Sequence, residues 1–473
     1  MNYDYDVIVI GMGPAGMAVS AMADGMGLKV CAIEKHKVGG ECMNVGCVPS
    51  KSLLRMAAAR HGFARLDRME LDAVPAPDAK NPFGRVREHI RYINEKKTMG
   101  MFKKVDLRLG AGEARFVDPH TVEVGGQQVS ARRIFIATGT RPMVPPIPGL
   151  DPAGCLTNEG LFDLDAVPKS LVILGGGAIG CEMAQAFSRL GCRTTIVHMD
   201  PYLIPAGDRD AGDLLEAVFR DEGIAVFNGR KIACVEKTGG GVCVHTDRGE
   251  VLEGERLLVA AGRRIDTTSL RLANGGVEVT DRGAIRVNRY LQTSQPHIYA
   301  PGDCNGHFLL SHAAMHQGMI ALMNSLAPRP FRQDFRTFVV PWTVFTEPQV
   351  SRVGLSAGEL DRRGIAHETI EVKYADYGAA IAEDAGTGFL KVAASKAGRI
   401  YGVSIVGEGS GEMINEWALA IQKKIRLHDL MMVQHSFPTM GFLSKRVAET
   451  WMMKRMESKA LRGLGRFLFR RGR

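Results

Sequence analysis

The chain opens on a short apolar run. Residues 5–10 read YDVIVI and lead into GMGPAG, an Ala/Met stretch of helical character to about residue 26, and a second apolar run over 28–33 that ends at Glu34. Runs of this length predict strands, and the glycines between run and helix predict a tight turn. The same order returns at 170–174, where SLVIL precedes GGGAIG, a helix to about residue 190 and a strand over 194–197. Two more apolar runs end in turns: IFIATGTRP at 134–142, leaving through Ala137, Thr138 and Gly139, and HIYAPGDC at 297–304, ending in Gly302 and Asp303. From about 336 the pattern changes to strand-like runs (FVVPWTVF, GFLKVAAS, IYGVSIVG) followed by two helical stretches, an α+β region. The fold class predicted is α/β, with two Rossmann-like dinucleotide-binding domains and a C-terminal α+β domain.

Strand, glycine turn, helix and strand, with an acid 18 residues after Gly16, form the unit on which a dinucleotide lies across a sheet edge. Gly11 permits the turn, Gly13 lets backbone amides approach a pyrophosphate, Gly16 allows close helix packing and Glu34 can accept from a ribose hydroxyl. Gly175, Gly177 and Gly180 repeat the pattern, but the second ribose position is His198, so NADH and NADPH remain open. Two such units imply two redox dinucleotides and electron transfer between them. Gly139, Gly302 and Asp303 are further candidate cofactor contacts, the carboxylate facing a ribityl or ribose hydroxyl.

Composition narrows the field. The 473 residues are 45% apolar and 23% charged, ordinary for a globular protein. No stretch approaches the ~18 apolar residues that a membrane span needs, and the first strand leaves no room for a signal peptide. A cytoplasmic protein is expected. The net charge of +9 sits mostly at the end: residues 451–473 hold eight Lys or Arg against one acid, a net +7. The nearly neutral body gives no reason to expect nucleic acid binding.

Nine dispersed cysteines without a secretory signal predict buried thiols, with one local cluster, Cys42 and Cys47, inside GGECMNVGCVPSK. Cysteines five apart point about 140° away from each other on a regular helix, so joining them needs the distorted turn that Gly46 and Pro49 make plausible. Zinc would need about four ligands and only His36 is near; no metal is expected. A reversible redox disulfide is the favoured reading.

With these motifs in order, the chain resembles, over residues 1 to about 450, the FAD-dependent pyridine nucleotide-disulfide oxidoreductases, the family of dihydrolipoamide dehydrogenase, glutathione reductase and mercuric reductase. The resemblance implies an FAD-binding domain at 1–145 and 265–335, an NAD(P)-binding domain at 146–264 and a dimerisation domain at 336–450 of a homodimer. It implies that Gly11, Gly13, Gly16, Glu34, Gly302 and Asp303 bind FAD, and that Gly175, Gly177 and Gly180 bind NAD(P)H. Cys47 becomes the thiolate beside the flavin and Cys42 the thiol open to substrate. Lys51 and Glu182 match an ion pair near the flavin, the lysine placed to stabilise negative charge.

The match fails in one place. Disulfide-processing members carry a His-Pro-Thr segment with a Glu five residues after the His, the acid–base pair for thiol exchange from the partner subunit. HSFPTMGF at 435–442 puts Phe437 and Phe442 at those positions. His435 lies two residues earlier and has Met440 five beyond it, so it is expected to lack an orienting carboxylate and to be structural. Loss of a positioned base costs ~10²–10⁴ in rate, so dihydrolipoamide turnover is expected to be poor. The last cysteine is Cys304, which leaves no C-terminal cysteines for mercury. The acceptor expected is a quinone, a metal species or another oxidant; the alternative is a non-catalytic flavin-binding sensor.

Met453, Met456, Ala460, Leu461, Leu464, Phe467 and Leu468 follow helical spacing, with Lys454, Arg455, Lys459, Arg462, Arg466 and Arg470 largely elsewhere on the wheel. Residues 451–473 are read as a basic amphipathic tail, suited equally to peripheral contact with the inner face of a membrane or to docking on the dimer.

Overall fold

The computed structural model describes residues 2–151 and 154–471; the end of the predicted tail, Arg473 included, and Met1 at the start of the first predicted domain lie outside them. The chain forms two compact units, one made of the residues up to Met199 with Glu222–Thr337, the other of Asp200–Asp221 with the residues from Phe338 on.

The first unit holds both predicted dinucleotide units. In one sheet, parallel strands Asp106–Leu109, Val30–Glu34, Tyr5–Ile10 and Gln127–Ile136 are neighbours in that order, and Ile298–Tyr299 joins the last of these in parallel. Thr121–Val124 and Arg115–Asp118 continue the sheet antiparallel. Ile8, Ile10, Ile134, Ile136 and Ile298 fill its core. A second, four-stranded parallel sheet runs Ala225–Phe227, Arg193–Val197, Ser170–Leu174 and Arg256–Val259. Beside it in the chain, Ile232–Thr238, Gly241–Thr246 and Val251–Gly254 make an antiparallel three-stranded sheet. Of the run predicted over 134–142, residues 134–136 end a longer strand, Gln127–Ile136, whose upstream half alternates polar and apolar residues, pairs antiparallel with Thr121–Val124 and turns Val129 and Ala131 into the same core.

The second unit is built on an antiparallel sheet in the order Trp342–Val344, Gln349–Gly354, Ile400–Gly407, Phe389–Ala394 and Glu368–Lys373. Helices Ser410–Gln422 and Phe442–Met456 bury Trp417 and Trp451 in its core. The predicted tail is not one helix. Trp451, Met453 and Met456 end Phe442–Met456, and a new helix, Lys459–Arg471, begins after Ser458, whose Oγ accepts from the Leu461 N–H at 3.2 Å. A serine N-cap restarts the helix there. None of the described residues of Lys459–Arg471 is buried. Among the described residues no helix is long and apolar enough to cross a membrane.

Candidate active site

The two glycine turns share one geometry. At Gly11 (φ +96°) a Cβ would lie 2.5 Å from the Ala137 carbonyl oxygen, and at Gly175 (φ +125°) one would lie 2.3 Å from that of Ala260. A Cβ at Gly16 would meet the Gly11 oxygen at 1.8 Å, and at Gly180 the Gly175 oxygen at 1.9 Å, so only glycine lets each helix sit this close to its strand. Gly13 and Gly177 cap the helices Pro14–Gly25 and Ala178–Arg189, and a Cβ there would meet nothing within 4 Å. Those two positions leave the free N–H groups of a helix start open to an approaching pyrophosphate.

Glu34 ends its strand buried beneath the first turn. Its Oε2 accepts from the Met12 N–H and its Oε1 from the His36 N–H, both at 2.8 Å, which fixes the carboxylate beside the glycine loop. His198 is also buried, its Nε2 2.6 Å from Asn228 Oδ1, and its ring fills the space where a Cβ on Gly176 would stand. The Gly302 N–H (φ +89°) donates to Gln317 Oε1 at 2.8 Å. Asp303 follows it; burial pushes its carboxyl up to about 6, against the pull of Arg263 and of the Thr140 hydroxyl at 3.4 Å. Gly139 takes a left-handed turn (φ +67°) one residue before Thr140.

The redox segment breaks where the spacing requires. Cys42 lies in the short helix Gly40–Asn44 and Cys47 opens the helix Cys47–Phe63, with Val45 and Gly46 between. Asn158 Nδ2 donates to the Val45 carbonyl at 3.2 Å, and Asn44 Nδ2 donates to the Val38 and Gly40 carbonyls at 3.0 and 2.8 Å. The bend brings the two thiols within hydrogen-bonding reach. The Cys42 thiol donates to Cys47, and this is the largest influence holding Cys47 down at about 6; burial opposes it, while Ser311, 3.3 Å away, and Lys51 add to it. Cys42 is pushed well above its ordinary value by the same hydrogen bond and by burial. Position at the first turn of a helix favours a thiolate as well. Cys47 is the more exposed of the pair.

One turn along, Lys51 Nζ reaches both oxygens of Glu182, at 2.9 and 2.8 Å, tying the cysteine helix to the second glycine helix. Glu182 is 5% exposed. The structure thus gathers Cys42, Cys47, Lys51 and Glu182 into one cluster. It also adds residues that no local motif announced: Ser311 against Cys47, and Arg263, which donates to Thr140 Oγ1 at 2.6 Å and pairs with Glu41 beside Asp303. Their partners lie more than a hundred positions away along the chain, so only the folded contacts reveal them.

The pyridine nucleotide-disulphide oxidoreductase profile matches residues 5–318 and that family's dimerisation domain matches residues 340–445. The chain belongs to this family. It is 34% identical over 450 residues to the dihydrolipoyl dehydrogenase of Thermus scotoductus, covering 92% of this chain and 95% of that one. To the mercuric reductase of Bacillus cereus it is 33% identical over 451 residues, covering 93% of this chain and 70% of that one. Among solved structures, the Cu(II) complex of the HOCl-induced flavoprotein disulfide reductase RclA from Escherichia coli superposes with a TM-score of 0.85 at 28% identity, over 95% and 99% of the two chains. LpdA from Mycobacterium tuberculosis gives 0.85 at 27% identity, over 96% and 100%. The chain is a flavin-dependent oxidoreductase that binds FAD and uses NAD(P)H, and the sensor reading gives way. The dimerisation domain supports a homodimer.

In the second unit, Phe437 and Phe442 form an edge-to-face pair, centroids 5.4 Å apart at 78°, and Phe442 stacks on Tyr377 at 6.1 Å. Phe437 is 70% exposed. One expectation needs correcting. His435 does have a carboxylate partner: Nε2 lies 2.8 Å from Glu416 Oε1, supplied by the helix Ser410–Gln422 instead of by the residue five positions on. Its Nδ1 lies 3.3 Å from the Val433 carbonyl.

Proposed function

We propose that this enzyme passes electrons from NAD(P)H to an acceptor that requires no proton abstraction from a substrate thiol, a quinone being the acceptor class favoured. The aromatic pair Phe437–Phe442 carries the reading, because it stands at both positions where disulfide-processing relatives keep their acid–base dyad. Two rings packed edge to face with one exposed suit a flat apolar acceptor and offer nothing to a dithiol. Both nitrogens of His435 already face protein oxygens, so the residue acts as a tie between Glu416 and Val433.

FAD, held at the first glycine turn by Gly13, Glu34 and Asp303, would supply two-electron transfer between the nicotinamide and the cysteine pair. In this reading Gly13 and Gly177 admit the two pyrophosphates, and Glu34 and Asp303 hold hydroxyls of the first dinucleotide. Cys47 keeps a thiolate at neutral pH, Cys42 holds the second proton, and Lys51, fixed by Glu182, supplies positive charge beside them. The exposed helix Lys459–Arg471 supports peripheral membrane attachment, which suits a lipid-soluble acceptor.

The test is turnover of NADH and NADPH with a soluble quinone, against dihydrolipoamide with NAD⁺. Quinone reduction exceeding dihydrolipoamide oxidation by about 10²-fold or more is expected; dihydrolipoamide rates equal to or above those with quinone overturn the proposal. Cys42→Ser separates two routes, since transfer through the disulfide stops and direct transfer to quinone survives.

A further inference from the structure

The expectation that Cys42 and Cys47 are the one cysteine cluster rests on distance along the sequence, and a hairpin of the first unit changes that. In the antiparallel pairing of Ile232–Thr238 with Gly241–Thr246, Cys234 stands opposite His245 and Glu236 opposite Cys243. Directly opposed residues share a face, with Cβ atoms about 4.5–5.5 Å apart. The alternate positions, Val235 and Val244 with Leu252 on the next strand, are buried in the apolar core. Cys234, Glu236, Cys243 and His245 therefore all project from the outward side.

Three of these side chains converge. One ligand atom each of Cys234, Glu236 and His245 lies within 4.8 Å of the other two. His245 Nε2 is shielded from solvent yet has no hydrogen-bond partner, and the nearest oxygen of Glu236 is 3.6 Å away, too far for a hydrogen bond. A shielded imidazole nitrogen without a hydrogen bond, set among a thiol and a carboxylate, is what a metal ligand looks like before the ion arrives. Cys243, next to Glu236 on the same face, is half-buried and supplies a fourth donor after side-chain rotation.

We infer that the outward face of this hairpin, Cys234, Glu236 and His245 with Cys243 as fourth donor, is a binding site for a zinc-class divalent cation, separate from the redox centre. Two sulfurs, one imidazole and one carboxylate are the ligand types that zinc takes in tetrahedral sites. The ion clips one strand to the other. Each ligating thiol gives its proton to water as its sulfur–metal bond forms, with no change of oxidation state, so affinity rises with pH.

The test uses oxidised, FAD-loaded enzyme, in which the closed Cys42–Cys47 bond keeps those sulfurs out of the competition, and zinc chloride alone as the probe. One zinc per chain is expected after dialysis, with X-ray absorption showing sulfur at about 2.3 Å and nitrogen or oxygen at about 2.0–2.2 Å. Cys234→Ser and His245→Asn should each weaken binding about tenfold or more. The Cys42→Ser, Cys47→Ser double variant should bind as the parent does. Because all four side chains face outward, flavin content and, with zinc removed, melting temperature of the variants should match the parent; if a variant fails to fold, the absorption spectrum of the unmodified protein decides. No bound zinc, a sulfur-free shell, or zinc that departs with Cys42 and Cys47 overturns the site.

Discussion

Lys51 grips both oxygens of Glu182 at 2.9 and 2.8 Å, and the two residues differ in burial: the carboxylate is 6% exposed and the ammonium side chain 36%. The asymmetry predicts unequal costs. Lys51→Met strands a buried charge, a loss of about 3 kcal/mol, the low end of the range because water reaches the lysine. Glu182→Gln leaves an ammonium that solvent can take up and should cost less. Thermal melting compares them, and both should slow reduction of the cysteine pair by NAD(P)H in stopped flow.

Cys47 sits at about 6 chiefly because the Cys42 thiol donates to it. Alkylation of Cys47 in the reduced enzyme should therefore proceed at its full rate above pH 7 and fall away as pH drops through about 6. Cys42→Ala removes the donor, so the midpoint of the rate–pH curve should move upward, toward that of an ordinary thiol. Cys42→Ser keeps a hydroxyl donor and should shift it less. Iodoacetamide trapping with mass spectrometry reads all three; an unmoved midpoint in Cys42→Ala would mean that Lys51 and the helix start dominate instead.

Burial holds the Asp303 carboxyl up at about 6. If its charged form receives a cofactor hydroxyl, the apoprotein should take up FAD less tightly as pH falls through about 6, when the carboxylate gains its proton. Asp303→Asn should bind FAD more weakly at pH 7.5 and show little further change on acidification. Quenching of free flavin fluorescence measures both.

Much of this site was legible because its parts are local. Gly11, Gly13 and Gly16, and again Gly175, Gly177 and Gly180, each do their work within six residues of one strand end, so spacing alone assigns turn, opening and close packing. Cys42 and Cys47 were legible as a pair for the same reason. Ser311, Arg263 and Glu416 were not, since each meets its partner only after distant strands and helices pack. The tail misled for another reason: apolar periodicity runs through residues 453–468 without a break, and nothing in it reveals that Ser458 caps a fresh helix. The hairpin cysteines were hidden by the register, which places Cys243 opposite Glu236 although seven residues separate them.

His435 is 9% exposed at its side chain and bridges Glu416 and the Val433 carbonyl. As a tie, it should matter to stability more than to turnover. His435→Leu leaves Glu416 facing an apolar side chain and should cost about 1–3 kcal/mol, while kcat with a quinone stays within about twofold. A changed pH profile of kcat in His435→Asn, with the melting temperature preserved, would falsify the structural role.

The helix Lys459–Arg471 separates its faces except at Phe469, which falls beside Arg462, and Arg471, which falls within the apolar arc. At about 100° per residue, Phe467, Ala460, Leu464, Leu468 and Leu461 occupy one arc, while Lys459, Arg462, Arg466 and Arg470 occupy the opposite one. Leu461, Leu464, Phe467 and Leu468 are each about half exposed. Basic side chains near an anionic leaflet contribute about 1 kcal/mol apiece, so this face should hold the enzyme on anionic vesicles at low salt and release it as salt rises. Truncation after Met456 removes the helix and spares Trp451, which donates to Glu368 at 3.0 Å, so the shortened enzyme should fold and turn over a soluble quinone normally. Co-sedimentation with vesicles containing phosphatidylserine should be lost on truncation, and turnover of a quinone embedded in those vesicles should fall with it. Equal sedimentation of both forms would instead assign the apolar face to the second subunit of the dimer.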